Sequence, residues 1–213
     1  MILGIDVGGT HTDAVLLDKT FIKKKVKVLT CQEDMMSSLT QATKVLLRDE
    51  NMDFLKRIVL STTLSTNAIV QGQISPVGLI LASGPGLSPS ELKLNQHTYF
   101  TSGYMNHRGI EAASINSSEI ENIKTKLKEK SIEHLGIIGK FSPRNPKIET
   151  AIGNMVANNF RHISLGHRMS GHLNFPRRIA TTYLNASIWE IYRLFAQNCK
   201  SFAEKLGIKL PLY

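Results

Sequence analysis

The chain has 213 residues, of which 42% are hydrophobic and 20% are charged. This length and composition support one large folded domain or two small ones and exclude wholesale disorder. The formal net charge of +9 admits an anionic partner. However, the basic residues are scattered and are not interleaved with stacking aromatics, which argues against a nucleic-acid site. Their densest run, Lys23–Lys25 followed by Lys27, is typical of the solvated edge of a strand.

The sequence carries no signal for export or for membrane insertion. Its amino terminus lacks the basic segment of a signal peptide, and no stretch reaches the ~20 apolar residues of a membrane span. Cys31 and Cys199 lie far apart and form no CxxC or metal-ligand spacing. We therefore expect a cytoplasmic protein with free thiols and no membrane partner.

The predicted elements begin with an antiparallel meander. Apolar and alternating runs predict strands at Ile2–Ile5, Thr12–Leu17 and Phe21–Thr30, joined by turns at Val7–Thr10 and Asp18–Lys19. A helix capped by Asp34 is expected next.

Beyond the meander, predicted strands and helices alternate, which favours a mixed or parallel sheet. Residues 87–113 have weak periodicity and predict irregular structure with short strands. We expect the strands near 58–62 and 77–82 to join the meander in one sheet. Further strands are predicted at 134–138 and 162–165, and helices at 34–50, 66–70, 117–127, 147–158 and 178–206.

The sharpest chemical signal is the segment from Gly4 to Asp13, which reads GIDVGGTHTD. An apolar strand delivers Asp6 to its end, and Gly8 and Gly9 let the backbone turn without a Cβ, so that N–H groups can face an anion. A carboxylate repels phosphate, so Asp6 fits there only if a cation such as Mg²⁺ intervenes. A Walker A loop or a dinucleotide fingerprint would instead open a helix. An ordinary hairpin turn is the plain alternative.

This segment resembles the first phosphate motif of the actin/hexokinase/Hsp70 superfamily, in the form typical of the hydantoinase A/5-oxoprolinase family. That family usually has Phe at the position of His11. Three later segments resemble its motifs in the same order: Ser61–Ala68, Ser142–Pro146 and Thr181–Ala186.

The resemblance implies an α/β fold, with a ribonuclease H-like half-domain built on a mixed sheet and a smaller α/β subdomain. It also implies that residues 1–175 form the amino-terminal region and that 176–213 form a long helix leading into a second half. Two segments depart from the family pattern, Gly84–Leu87 and Gly166–Gly171. Both would shape a substrate site, so the substrate stays open.

The same resemblance implies an ATP-dependent hydrolase or carboxylase that activates a carbonyl of a lactam, a hydantoin-like ring or a ketone. ATP and Mg²⁺ are the implied cofactors. The implied site residues are catalytic Asp6 and Asp13, with Asp6 holding Mg²⁺ through water and Asp13 also at the metal; phosphate-binding Gly8, Gly9, Thr10, His11 and Thr12; and cleft-lining Thr62, Thr63, Asn67, Arg144 and Asn145.

Other readings of these residues stay open. Thr62, Thr63 and Asn67 also suit helix capping, Arg144 and Asn145 also suit a turn, and His11 faces either the core or the cleft.

The sequence contains no second Asp-x-Gly-Gly-Thr turn, so we expect the chain to be inactive alone and to need a second polypeptide with the rest of the site. A fragment and a naturally short protein fit equally. The alternative is a non-catalytic binding module of the same fold that acts through a partner chain. A sugar or acetate kinase relative fits the segment Ser61–Ala68 less well.

Overall fold

A computed structural model of the chain describes residues 1–31, 34–51 and 54–205. The chain divides into two compact units. The first contains residues 1–73 and 190–213, and the second contains residues 74–189. Within the described residues, no helix is both long enough and apolar enough to cross a bilayer.

The first unit is built on a four-stranded mixed sheet. Strands β1 (Ile2–Val7), β2 (His11–Asp18) and β3 (Phe21–Leu29) form the predicted antiparallel meander. Strand β4 (Arg57–Thr62) pairs parallel to β1, which gives the order β3-β2-β1-β4.

Helix α1 (Met35–Leu47) lies between β3 and β4 in the chain and helix α2 (Leu64–Val70) follows β4. The predicted cap of α1 is confirmed, because Asp34 Oδ1 accepts the Ser37 N–H at 3.1 Å.

One face of this sheet is buried and the other is open. The buried face packs against α1 and the carboxyl-terminal part of helix α7 (Phe175–Lys205). Its core contains Leu3, Ile5, Val7, Ala14, Leu16, Leu39, Ala42, Leu46, Ile58, Phe195, Cys199 and Phe202. Because side chains alternate along a strand, Asp6 and Asp13 point to the opposite face.

The second unit is a parallel sheet between helices. Strands β5 (Val77–Ala82) and β9 (His134–Gly139) are buried at every residue and form its centre, flanked by β6 (Thr98–Phe100) and β10 (His162–Leu165). The remaining elements are α3 (Pro89–Leu92), β7 (Tyr104–Met105), β8 (Glu111–Ala113), α4 (Ser117–Glu129), α5 (Lys147–Val156) and α6 (Gly166–Met169). Helices α4 and α5 pack on one face and the amino-terminal part of α7 on the other.

The predicted α/β class with a mixed sheet and a second α/β subdomain is confirmed. The prediction that 77–82 joins the meander is wrong, because β5 pairs with β9 and β6 in the second unit. An apolar run indicates a strand buried on both faces but does not identify its neighbours. The division at residue 175 stays a prediction, and the part of the predicted last helix beyond Lys205 lies outside the described residues.

Candidate functional site

A row of polar residues crosses the open face of the first sheet. The strand registers place Asp6 opposite both Asp13 and Ser61, and they place Asp13 opposite Lys27. Partners in register point to the same face of a sheet. Four adjacent strands therefore present Lys27, Asp13, Asp6 and Ser61 side by side, a set termed here the polar row.

Each carboxylate of the polar row has a neighbour within bonding distance. Ser61 Oγ donates to Asp6 Oδ1 at 2.5 Å, and both residues are exposed. Lys27 Nζ lies 3.2 Å from Asp13 Oδ1, with side chains that are 60% and 48% exposed. A solvated ion pair of this kind contributes about 1 kcal/mol at most. Lys27 is therefore a weak and replaceable partner for Asp13.

The two carboxylates favour a cation between them. Directly opposite residues of an antiparallel pair have Cβ atoms about 5 Å apart, and like charges at that distance repel. Lys27 compensates only one of the two charges. Within the described residues no group of three or more His, Cys, Asp or Glu could hold a metal. A cation at Asp6 and Asp13 would therefore keep much of its water shell, as Mg²⁺ commonly does.

The glycine turn next to the polar row is held closed by backbone bonds. The Gly8 N–H donates to the His11 carbonyl at 3.0 Å, and the N–H of Thr30, the residue after β3, donates to the Thr10 carbonyl at 2.9 Å. A Cβ on Gly8 would lie 2.9 Å from the same His11 oxygen, so this position requires glycine. The sequence predicts that N–H groups of this turn face an anion, but the Gly8 N–H closes the hairpin instead.

The hydroxyl groups near the turn differ in exposure. Thr10 and His11 are exposed, with Thr10 Oγ1 and His11 Nδ1 3.1 Å apart. The His11 ring therefore lies outside the core. Thr12 is fully buried, and its Oγ1 lies 2.9 Å from Thr30 Oγ1. This threonine has no exposed surface to offer a phosphate, unlike the sequence prediction.

Gly9 and Asn67 lie together beside the turn. They line a cavity of about 500 Å³ whose other walls include residues of α2 and α7. A Cβ on Gly9 would lie 3.2 Å from Asn67 Nδ2, and this amide is 3.4 Å from Thr63 Oγ1. Three of the predicted residues are thus neighbours in the first unit.

Thr62 joins the two parallel strands. Its Oγ1 donates to the Val7 carbonyl at 2.8 Å and accepts the Leu64 N–H at 3.1 Å, so it links β4 both to β1 and to the first residue of α2. With Ser61 it lines a separate cavity of about 350 Å³. Asp6 and Asp13 line neither of these two cavities, so the predicted residues do not share one cleft.

Arg144 and Asn145 belong to the second unit. Asn145 Nδ2 donates to the Gly109 carbonyl at 2.8 Å, and its Oδ1 accepts the Lys147 N–H at 3.0 Å. Arg144 is exposed. The Asn145 amide thus braces a loop and the start of α5, which agrees with the turn interpretation of this segment.

Sequence reasoning missed Ser61 and Lys27 as members of the site. Ser61 was part of a recognised motif, but only the parallel register of β1 and β4 places it opposite Asp6. Lys27 was interpreted as a solvated edge lysine, and its ion pair with Asp13 depends on the register of β2 and β3.

Comparison with known proteins gives one family and a set of similar structures. Residues 2–160 match the family described as "Hydantoinase/oxoprolinase N-terminal region". A nucleotide-free acetone carboxylase, described in work on ATP-dependent acetone carboxylation, has a TM-score of 0.79 at 17% identity. An ATP-dependent caprolactamase from Pseudomonas jessenii also has a TM-score of 0.79, at 22% identity. No curated protein matches.

These two structures are much longer than the chain. The match covers 95% of this chain and 34% of the acetone carboxylase chain, and 100% of this chain and 35% of the caprolactamase chain. The chain thus spans about a third of the length of either structure. At these identities the likeness establishes the fold alone.

Proposed function

This chain is a member of the hydantoinase/oxoprolinase family, and we propose that it forms the amino-terminal, phosphate-binding part of an ATP-dependent enzyme that activates a carbonyl group. The observation that carries the proposal is the pair Asp6 and Asp13, opposite each other on an open sheet face next to a closed glycine turn. Two similar structures belong to ATP-dependent enzymes, one acting on acetone and the other a caprolactamase.

The residues present fit a hydrated Mg²⁺. Mg²⁺ prefers one or two carboxylates together with several waters, and Asp6 and Asp13 supply two carboxylates. Lys27 is only weakly bound and can leave Asp13 when the ion arrives. We propose that Asp6 holds the ion through water and that Asp13 lies beside it. When bound, Mg²⁺ would neutralise charge on phosphate oxygens.

The chain's own residues would position the reactants. The Ser61 hydroxyl fixes one oxygen of Asp6. The closed turn also fixes the backbone at Thr10 and at His11, the first residue of β2, and both side chains are exposed. Such pre-set donors lose little free energy to reorganisation when a phosphate arrives. Phosphoryl transfer depends chiefly on positioning and charge neutralisation, so these are the contributions that matter.

The test uses Mn²⁺, a paramagnetic substitute for Mg²⁺, with ATP and the ¹⁵N-labelled chain. We expect the amide signals of Asp6 and Asp13 to broaden first, and Asp6→Asn to abolish this broadening. Asp18→Asn is the matched control, because Asp18 is a carboxylate at the other end of the same strand as Asp13. Broadening centred on Asp18, or unchanged in Asp6→Asn, would refute the assignment.

We further propose that residues outside this sequence complete the nucleotide site. One glycine turn and one carboxylate pair cannot enclose the γ-phosphate or hold the adenosine. We expect the chain alone to bind Mg·ATP with a Kd of roughly 1 mM, which corresponds to about −4 kcal/mol. It should not open 5-oxoproline or hydantoin rings. Micromolar affinity for Mg·ATP, or steady ADP release by the lone chain, would contradict this proposal. If Mn²⁺ still broadens the amide signals of Asp6 and Asp13 but no turnover follows when the missing part is supplied, a non-catalytic binding module is favoured.

A further inference from the structure

The second unit contains a buried carboxylate that the proposed phosphate site does not use. Glu149, in the first turn of α5, is fully buried. Its Oε1 accepts the Gly139 N–H at 2.7 Å, and its Oε2 accepts the His167 N–H at 2.8 Å. The same Oε2 lies 2.5 Å from His167 Nδ1. One carboxylate thus fixes both the backbone and the ring of His167.

Gly166 and Arg178 pack closely around the pair formed by Glu149 and His167. A Cβ on Gly166 would lie 3.0 Å from Glu149 Oε1 and 2.9 Å from Ile138 Cγ2. The buried Arg178 guanidinium donates to the carbonyls of Gly139 and Lys140 at the end of β9. Its desolvation lowers the pKa of Arg178, and attraction to Glu149 acts in the opposite direction. A cationic side chain thus lies close enough to Glu149 for the two charges to attract each other.

The pair lies where an α/β sheet usually receives ligands. Gly139 ends β9, and His167 follows the end of the parallel neighbour β10. The carboxyl ends of parallel strands form the edge at which open α/β sheets bind small molecules. The His167 side chain is 18% exposed, so it is not sealed in the core at this edge.

The two ring nitrogens of His167 differ in their hydrogen bonds. Both Glu149 oxygens already accept backbone N–H groups, so Oε2 acts as an acceptor toward the ring as well. In that arrangement Nδ1 carries the proton and Nε2 carries the lone pair. Within the described residues, no hydrogen bond joins His167 Nε2 to another group. This differs from His162, whose Nε2 lies 2.8 Å from Ser164 Oγ.

We propose that His167 accepts a proton through Nε2 from a water or hydroxyl group of a small ligand, with Glu149 as its positioning residue. The Nε2 lone pair forms the new N–H bond, the O–H electrons remain on the ligand oxygen, and the imidazolium charge is held by the Glu149 carboxylate. The proton returns from Nε2 to the ligand oxygen from which it came, so no other reactant is needed. This site stands on the second unit alone and does not depend on the phosphate site of the first.

Two measurements on the whole chain test this inference. Long-range ¹H–¹⁵N NMR of the histidine rings should show His167 as the Nδ1–H tautomer. Diethyl pyrocarbonate should acylate His167 at Nε2, with release of ethyl carbonate, and mass spectrometry follows the rate at each histidine. We expect His167 to react at least as fast as the exposed His107, although its ring is largely buried, because the carboxylate raises the nucleophilicity of Nε2.

The variant Glu149→Gln separates this role from a purely structural one. We expect its His167 to lose the fixed tautomer and to react about tenfold more slowly, while His107 keeps its rate. Glu119→Gln is the matched control, because Glu119 also accepts a backbone N–H, that of Ser102 at 2.9 Å. Within the described residues its hydrogen bonds are with Thr101 and Ser102 and not with a histidine.

A different set of results would overturn the inference. An Nε2–H tautomer in the unmodified chain, or acylation of His167 far slower than of His107, would do so even if Glu149→Gln failed to fold. An unchanged tautomer and rate in a folded Glu149→Gln would reduce Glu149 to a backbone brace.

Discussion

Replacing Gly8 by alanine tests whether the turn beside the polar row is held closed as described. The new Cβ would lie 2.9 Å from the His11 carbonyl oxygen, closer than real Cβ atoms approach. That oxygen also accepts the Gly8 N–H at 3.0 Å, so relief of the clash must strain or break the bond. Crowding of this kind costs about 1–3 kcal/mol, and a lost hydrogen bond costs about 1 kcal/mol. Alanine also lowers the conformational entropy of the unfolded chain, which stabilises the folded state by about 0.4–1 kcal/mol.

We therefore expect Gly8→Ala to lower the free energy of unfolding by about 1–3 kcal/mol, measured by urea denaturation followed by circular dichroism. Gly9→Ala is the matched control. Its Cβ would meet only the Asn67 amide at 3.2 Å, and a side-chain end can rotate away. The free energy of unfolding of Gly9→Ala should fall by less than about 1 kcal/mol. Equal urea midpoints for the two variants would refute the closed turn.

Two further predictions concern charge. Burial, and secondarily the charge of His134, lowers the pKa of His162 to about 4 from 6.5. As the pH drops from 6.5 toward 4, the unfolded chain therefore takes up this proton before the folded chain does. The free energy of unfolding should fall by about 1 kcal/mol, after a discount because the ring is only partly buried. Urea midpoints at pH 7 and 5 measure this, and a pH dependence unchanged in His162→Gln would contradict it. Lys27→Gln should strengthen Mn²⁺ binding about two- to fivefold by removing the competing cation of Asp13, whereas Lys44→Gln on α1 should not. Equal affinities in the two variants would exclude Asp13 from the metal site.

The local part of the candidate site could be predicted from the sequence. Asp6 at the end of an apolar strand, followed by two glycines, specifies a carboxylate next to a tight turn whatever the rest of the chain does. The turn was predicted in this way. The identity of the residues across the sheet was not, because pairing joins segments distant in sequence. Ser61 reaches Asp6 from 55 residues away.

The position of Lys27 shows why register escapes sequence reasoning. Asp18 pairs with Phe21 across the turn, and an unbroken ladder from there would place Val26 opposite Asp13. A bulge between Leu16 and Leu17 shifts the register, so that Lys27 takes that place. One inserted residue thus replaces an apolar neighbour of the carboxylate with a cation. Alternation along β3 carries no sign of this shift.

The two carboxylate sites call for different measurements because their carboxylates are satisfied differently. Asp6 is exposed and accepts a hydrogen bond from Ser61, so its replacement changes few interactions of the folded chain. The effect of the replacement is therefore measured as a change in metal binding. Glu149 is fully buried, accepts the backbone N–H groups of Gly139 and His167, and lies 2.5 Å from His167 Nδ1. Its removal leaves buried donors without a partner, which costs about 1–3 kcal/mol each. A loss of stability is therefore expected of Glu149→Gln under either role, and only the state of the His167 ring distinguishes a brace from a proton-transfer pair.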